Sequence, residues 1–288
     1  MPPIHPPPPA ADDLDDAVFH AIAQYIYNHA RIQITGNKRE LVRARLGRII
    51  RQRGFSGYRQ YYAWMAADKT GEAAREVMNA IATNLTSFFR ENAHFEFLAE
   101  SIVPEYLHRV RRRLRGWSAG CSTGQEIYTI AMVLLERLGD AAGWDIKLLA
   151  TDLDTEVIAQ GARGFYVDDH AQGIPVNLRR KYFDDAVDER GKSGVQAKDI
   201  LRSLVTFRHL NLFSRWPFKN PFDFVFCRNV MIYFDRPTQE QLIERYHQAL
   251  APGGYLFIGH SESLSGVKHA FEYVLPTIYR KKGAKSDG

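Results

Sequence analysis

From residue 116 onward the chain alternates short apolar runs with longer amphipathic stretches, and this alternation restricts the possible architectures more than any other feature. The runs lie at 116–119, 146–151, 204–210, 222–227 and 254–258, with helical patterns such as 126–138 and 239–250 between them. Strands separated by helices predict βα units and an open, mostly parallel sheet, an α/β fold. Residues 271–281 supply one more strand at the edge. About fifty residues separate the second and third runs, too many for a single crossover, so an inserted subdomain is expected at 166–203. Residues 11–82 instead repeat their apolar positions at helical spacing, with breaks at Thr35-Gly36-Asn37, 54–57 and Thr70-Gly71. They predict a small bundle of about four helices. The resulting plan is a Pro-rich, floppy tail at 1–10, a helical domain at 11–82, a linker and helix at 83–115, and an α/β domain at 116–288.

Composition narrows the function classes. Two cysteines, Cys121 and Cys227, cannot build a disulfide framework and lack zinc-site spacing, which fits a reducing cytoplasm. No apolar run approaches the ~18 residues of a membrane span, and the first ten residues do not resemble a signal peptide. The net charge of +5 is unevenly distributed. Residues 31–59 hold nine basic side chains against one acid, Glu40. Within that stretch Val42, Leu46, Ile49 and Ile50 fall on one helical arc, while Arg45, Arg48 and Arg51 point away from it. The pattern reads as an amphipathic helix whose basic face is either simply solvated or attracts an anionic partner, nucleic acid or acidic protein. A second run, 109–115, carries five arginines and reads as a helix end plus linker.

The segment Trp117-Ser118-Ala119-Gly120-Cys121-Ser122-Thr123-Gly124-Gln125-Glu126 passes from strand to helix through small residues, which lets a ligand approach the backbone at the carboxyl end of a strand. It lacks the G-x-G-x-x-G order, and Glu126 in the first helical turn would repel a pyrophosphate. A carboxylate there suits an ammonium group, or else complements the helix dipole. The next strand ends in Ala150-Thr151-Asp152-Leu153-Asp154. An acid at such a place typically takes ribose hydroxyls, and either Asp could instead cap the following helix, Asp154 being the better cap. A ribose and an ammonium without a pyrophosphate point to S-adenosyl-L-methionine. Residues 222–234 then form a buried strand with a polar end, and Pro252-Gly253-Gly254 turns the chain into the next strand. The Asn-Pro-Pro-Tyr and Asp-Pro-Pro-Tyr tetrads of base-amino methylation are absent.

Together, Thr83-Asn84-Leu85-Thr86-Ser87-Phe88-Phe89-Arg90-Glu91, the segments 117–128, 150–156 and 227–235, and Gly259-His260-Ser261-Glu262 resemble the chemotaxis receptor protein-glutamate O-methyltransferase family (CheR). The likeness runs in order through nearly the whole chain. It implies a class I, Rossmann-like methyltransferase domain with a small inserted β-subdomain, preceded by a small all-α domain. It further implies methyl transfer from S-adenosyl-L-methionine to glutamates on cytoplasmic chemoreceptor helices, with S-adenosyl-L-homocysteine as product and no metal. By motif, Asn84, Thr86 and Arg90 contact the cofactor, Glu126 takes its amino group and Asp152 its ribose. Asn211, Leu212, Arg228 and Asn229 complete the pocket, and Arg90 and Tyr233 lie nearest the chemistry. Phe88 and Phe89 read as core, and His260 as a structural hydrogen-bonding group. Arg45, Arg48 and Arg51 would face the acidic receptor helix. Gln125 and Ile127 depart from the family's usual Glu and Pro, and 184–200 matches no pattern.

A glutamate acceptor is already ionised at neutral pH, so no general base is needed. Two rivals remain at this stage. A nucleic-acid methyltransferase would use the basic patch on phosphates, although the missing tetrads oppose it. A silent receptor-binding adaptor would have no need of a cofactor pocket. No nucleic acid and no membrane insertion are expected.

Overall fold

Apolar residues one turn apart build the helices of the first eighty residues. In the computed structural model, which describes residues 14–108, 112–139 and 143–283, α1 (Asp16–Ala30) begins at Asp15, whose carboxylate accepts the Val18 N–H at 2.8 Å. Helix α1 buries Val18, Ile22 and Ile26. After a short 3₁₀ turn, α2 (Arg39–Arg53) buries Val42, Leu46 and Ile50 and stops at Gly54, which takes the left-handed φ of 74° that suits glycine. Helices α3 (Tyr58–Ala67) and α4 (Glu72–Ile81) follow, and Arg53 of α2 reaches Glu72 and Glu76 of α4 at 2.6 and 2.7 Å. These helices, with the short segment Tyr233–Asp235, form one compact unit that ends at Thr83. The expected tail at 1–10, residues 11–13 of the expected helical domain, and 109–111 of the second arginine run lie outside the described residues.

Helix α2 does not present all three expected arginines to solvent. Arg45 donates to the carbonyls of Ile81 and Ala82 at 2.6 and 2.7 Å and to Thr83 Oγ1 at 3.1 Å. It therefore satisfies carbonyls at the end of α4, where a cation also complements the helix dipole. Arg48 and Arg51 are exposed.

The second unit starts at Asn84. Helix α5 (Ala93–Phe97) continues through a π-helical turn, Leu98–Ile102, into α6 (Val103–Leu107), where Pro104 stands at the start of the resumed helix. Then come β1 (Arg113–Ala119), α7 (Gln125–Leu138), β2 (Asp145–Asp152) and α8 (Thr155–Arg163). A small antiparallel sheet of β3 (Phe165–Val167), β4 (Phe183–Val187) and β5 (Ser193–Ala197), with β5 in the middle, carries α9 (Asp168–Ala171) and α10 (Val176–Tyr182). Helix α11 (Asp199–Arg202) leads back to the main sheet through β6 (Val205–His209), β7 (Phe222–Cys227), α12 (Arg236–Ala249), β8 (Leu250–Ile258), β9 (Phe271–Leu275) and β10 (Ile278–Lys281). The unmatched stretch 184–200 thus contains most of β4 and all of β5.

The main sheet runs β6-β2-β1-β7-β8-β10-β9, parallel from β6 to β8 and antiparallel at β10 and β9. All six residues of β7 are buried, as a strand covered on both faces requires. Two sequence expectations need correction. Residues 271–281 form a hairpin of two strands rather than one edge strand, its turn marked by Thr277 at φ 66°. Strand β8 begins at Leu250, ahead of Pro252-Gly253-Gly254, and pairs Leu250 with Phe222 before its register shifts.

Helix α7 covers the sheet with Ile127, Ile130, Ala131 and Leu134, none of them exposed. The ends of β1 and β2 are level, Ala119 opposite Thr151, so the loops that follow them emerge together. Gly116 is glycine because a Cβ there would lie 2.3 Å from the Phe224 ring. Gly116→Ala is expected to destabilise this unit by roughly 1–3 kcal/mol through overpacking, measured by urea denaturation.

Candidate active site

Tight geometry begins where β1 ends. Gly120 and Cys121 donate their N–H groups to Thr151 O at 2.8 and 2.9 Å, pinning the turn to β2. Gly120, Ser122 and Gly124 all take positive φ, and the chain then enters α7. Gln125 is buried and its amide oxygen accepts from Thr123 Oγ1 at 2.7 Å, which is how this sequence fills the position where Gln departs from the family pattern.

Two carboxylates face this turn. Glu126 accepts the Ser118 hydroxyl at 2.7 Å and lies 3.4 Å from the Arg228 guanidinium. Burial raises its pKa above the usual carboxylate range against the pull of Arg228. Asp152 accepts the Ser122 and Asp154 N–H groups at 2.9 and 3.0 Å, and burial likewise holds its pKa up. Both acids gain by meeting a donor or a cation. Asp154 caps α8, accepting from Glu156 and Val157, and also takes the Asn84 amide at 2.7 Å. Asn84 O in turn accepts the Ser122 hydroxyl at 2.9 Å, which brings the start of the linker to the ends of β1 and β2.

The rest of the linker is strained. Phe89 and Glu91 adopt φ of 55° and 56°, a sparsely populated region that costs of order 1–3 kcal/mol and collects at functional sites. Phe88 is buried against Tyr166 and Phe183 and belongs to the core, and Phe89 packs on that core half-buried. Arg90 donates to Leu85 O at 2.9 Å and approaches Glu91 only to 4.0 Å, and Thr86 is half-buried.

Arg228 ties this linker to the end of β7. Its side chain is almost fully buried, donates to Arg90 O, and lies 3.2 Å from Glu91. Its Nε has no hydrogen-bond partner and its Nη1 only the 3.4 Å ion contact with Glu126, and such under-satisfied buried donors suit a bound carboxylate. Asn229 sits at φ 58° and donates from its amide to Glu91 at 3.4 Å. Glu91 also accepts the His260 N–H at 3.2 Å. Burial would raise its pKa, but Arg228, His260 and these hydrogen bonds hold it below the usual range.

Asn211 and Leu212 follow β6 where Leu210 N–H meets Asp152 O at 2.9 Å. Asn211 Oδ1 accepts the Phe213 N–H at 2.9 Å, an Asx turn, and Leu212 O accepts from the Trp216 indole at 3.1 Å and from Arg245. The structure thus brings Asn84, Glu126, Asp152, Arg228, Asn229 and the Arg90 main chain into one connected set. Tyr233 is grouped instead with the helical unit, where its carbonyl accepts Gln33 N–H at 2.9 Å and Lys38 lies over its ring.

Sequence reasoning gave no site role to Glu91, His94, Ser118, Ser122 or Glu262. The first available signal was the need of a buried Arg228 for acidic neighbours. Glu91, His94 and His260 bring possible ligand atoms within 4.8 Å of one another. Arg228, 3.2 Å from the same Glu91 oxygen, already supplies the positive charge there and makes the cluster a poor cation site. His94 Nε2 and Thr277 Oγ1 share a hydrogen bond at 2.7 Å, and the Thr277 hydroxyl also contacts Pro276 O. The His94 Nδ1 is buried 3.7 Å from Glu91 without a hydrogen-bond partner.

Burial, reinforced by Arg228, lowers the His94 pKa from 6.5 to about 4. Between those values the unfolded chain binds a proton that the folded one refuses, so His94 makes stability fall as pH drops from 6.5 towards 4. The loss should reach roughly 3 kcal/mol at most. Wild type should therefore lose more stability than His94→Gln between pH 7 and pH 4.5 in urea titrations; parallel losses would refute this.

Comparison with known proteins matches the CheR methyltransferase SAM binding domain over residues 84–279 and the CheR methyltransferase all-alpha domain over residues 17–82. A probable chemotaxis protein methyltransferase of Rhizobium etli is 42% identical, over 88% of this chain and 96% of its own. Chemotaxis protein methyltransferases of Borreliella burgdorferi and Escherichia coli are 36% and 37% identical, over 90% and 92% of this chain and 92% and 91% of theirs. Among solved structures, the N-methyltransferase NodS of Bradyrhizobium japonicum with S-adenosyl-L-homocysteine covers 60% of this chain and 62% of its own at 16% identity. Its TM-score of 0.34 is too low to carry an argument.

Proposed function

Because the chain belongs to the CheR methyltransferase family, whose SAM binding and all-alpha domains it carries, we propose that it esterifies glutamate side chains on the cytoplasmic helices of chemoreceptors, drawing the methyl group from S-adenosyl-L-methionine. The observation that carries this reading is the pair of desolvated acids, Glu126 and Asp152, facing one glycine-rich turn beside the under-satisfied donors of Arg228. The residues fit the cofactor's polar groups: Glu126 its ammonium, Arg228 its carboxylate and Asp152 its ribose hydroxyls. When bound, the cofactor supplies an electrophilic methyl on a sulfonium.

The protein's share of the work is orientation and exclusion of water. Holding reactants in line is worth roughly 7–11 kcal/mol in favourable cases. Neutralisation of an anion by a cation is favoured in a water-poor cleft. The buried titratable groups favour an acceptor that arrives ionised. His94 is neutral and buried, and desolvation pushes the Cys121 and Cys227 thiols well above their usual range. A carboxylate with a reference pKa near 4.3 needs no base. Arg90 is assigned to a carboxylate, the acceptor's or the cofactor's, and Thr86, Asn211 and Leu212 to the cofactor pocket. Cytoplasmic receptor helices as substrate call for a cytoplasmic enzyme. Among the described residues no helix is long and apolar enough to cross a membrane.

The direct test uses labelled cofactor, a receptor signalling fragment and alkali: carboxyl methyl esters release volatile methanol, and label stable to base would refute the assignment. Glu126→Gln and Asp152→Asn should each weaken S-adenosyl-L-homocysteine binding at least roughly tenfold in calorimetry, the value of a lost charged hydrogen bond. On the receptor side, Arg48→Glu with Arg51→Glu should raise KM for the fragment by roughly three- to tenfold at low salt and flatten its salt dependence. Arg45 is left intact because it closes α4. An unchanged KM from 20 to 300 mM salt would remove the basic helix from substrate recognition.

A further inference from the structure

Glu262 lies just beyond β8 and is buried, yet it belongs to none of the groups assigned above to cofactor or acceptor. One carboxylate oxygen accepts the N–H groups of Gly259 and Asn229 at 2.6 and 2.9 Å. The other accepts those of Met231 and Ile232 at 2.7 and 3.3 Å. Four main-chain donors on one buried carboxylate form an anion nest that binds the end of β7 to the end of β8. Three of those donors belong to the turn that carries Arg228 and Asn229.

We propose that Glu262 is a positioning residue, whose carboxylate fixes the Arg228–Ile232 turn in the shape that presents Arg228 and Asn229 to the cofactor. The turn needs such a clamp. Asn229 adopts a left-handed φ of 58°, a region that asparagine tolerates better than most residues but that is still uncommon outside glycine. Glu91 holds the same turn by its side chains, accepting from Asn229 and pairing with Arg228, while Glu262 holds it by its backbone. Gly259 completes the device. A Cβ at 259 would lie 2.5 Å from Asn229 Nδ2 and 2.7 Å from Asn229 N, so only glycine allows the two loops to approach this closely. In Gly259-His260-Ser261-Glu262 the first residue thus makes room and the last reaches back to bind what enters. A turn released from Glu262 would let the Arg228 guanidinium swing away from Glu126 and Glu91 without removing any group that touches the reacting atoms.

This inference rests on the methyltransferase reading, and its test separates the two. Calorimetry of the full chain with S-adenosyl-L-homocysteine comes first; failure of the wild type to bind would refute the reading itself. If wild type binds, Glu262→Gln, which turns one acceptor oxygen into a donor facing two N–H groups, should raise Kd and the cofactor KM at least roughly tenfold. The kcat at saturating cofactor and receptor fragment should stay within about threefold, because bound cofactor restores the turn and Glu262 itself touches no reacting group. A folded Glu262→Gln with wild-type cofactor KM, or with kcat falling while KM holds, would overturn the proposal. Should Glu262→Gln fail to fold, Gly259→Ala displaces the same turn and leaves the carboxylate. It should show the same rise in KM with kcat preserved, and an unchanged KM would be equally decisive against the clamp.

Discussion

The second unit depends on one buried guanidinium. Arg228 stands between Glu91 of the linker and Glu126 of α7, and the ends of β1 and β7 and the linker all converge on it. Such a triad is expensive to desolvate and earns little net stability, but removing one member leaves an uncompensated charge in a poorly solvated place. It therefore specifies where the loops go more than it strengthens the fold. The under-satisfied Nε and Nη1 of Arg228 and the raised pKa of Glu126 belong to the same circumstance: these charges are incompletely matched within the chain. A ligand with both a carboxylate and an ammonium would complete the set.

Much of this was legible in the sequence, and for identifiable reasons. The parallel strands announced themselves as apolar runs between helices because a strand covered on both faces cannot be polar, and β7 is the extreme case. Glu126 and Asp152 stand out in the sequence as acids close to the carboxyl ends of strands, and both lie at the glycine-rich turn. The hairpin at 271–281 was read as one strand because its turn uses Pro276 and Thr277, without the glycine or asparagine that normally signals a left-handed residue.

Arg45 was misread for a different reason. Helical spacing tells which side of α2 a residue faces, yet cannot say that the last carbonyls of α4 end within its reach. Glu91 and Glu262 were invisible as site residues because sequence reveals a charge but not its burial. Both sit in motifs whose neighbouring residues attract the chemical reading first. Their work is done on main-chain amides and on another residue's guanidinium, and nothing in residue type or spacing encodes those contacts.

The bond between His94 and Thr277 makes the terminal hairpin more than an edge of the sheet. It anchors the ring at Nε2, and burial keeps the imidazole neutral at neutral pH. Arg228 is therefore the charged neighbour of Glu91 on its buried side, while the more exposed His260 approaches it from the other. A hairpin at the sheet edge thus reaches, through one imidazole, the same glutamate that pairs with Arg228.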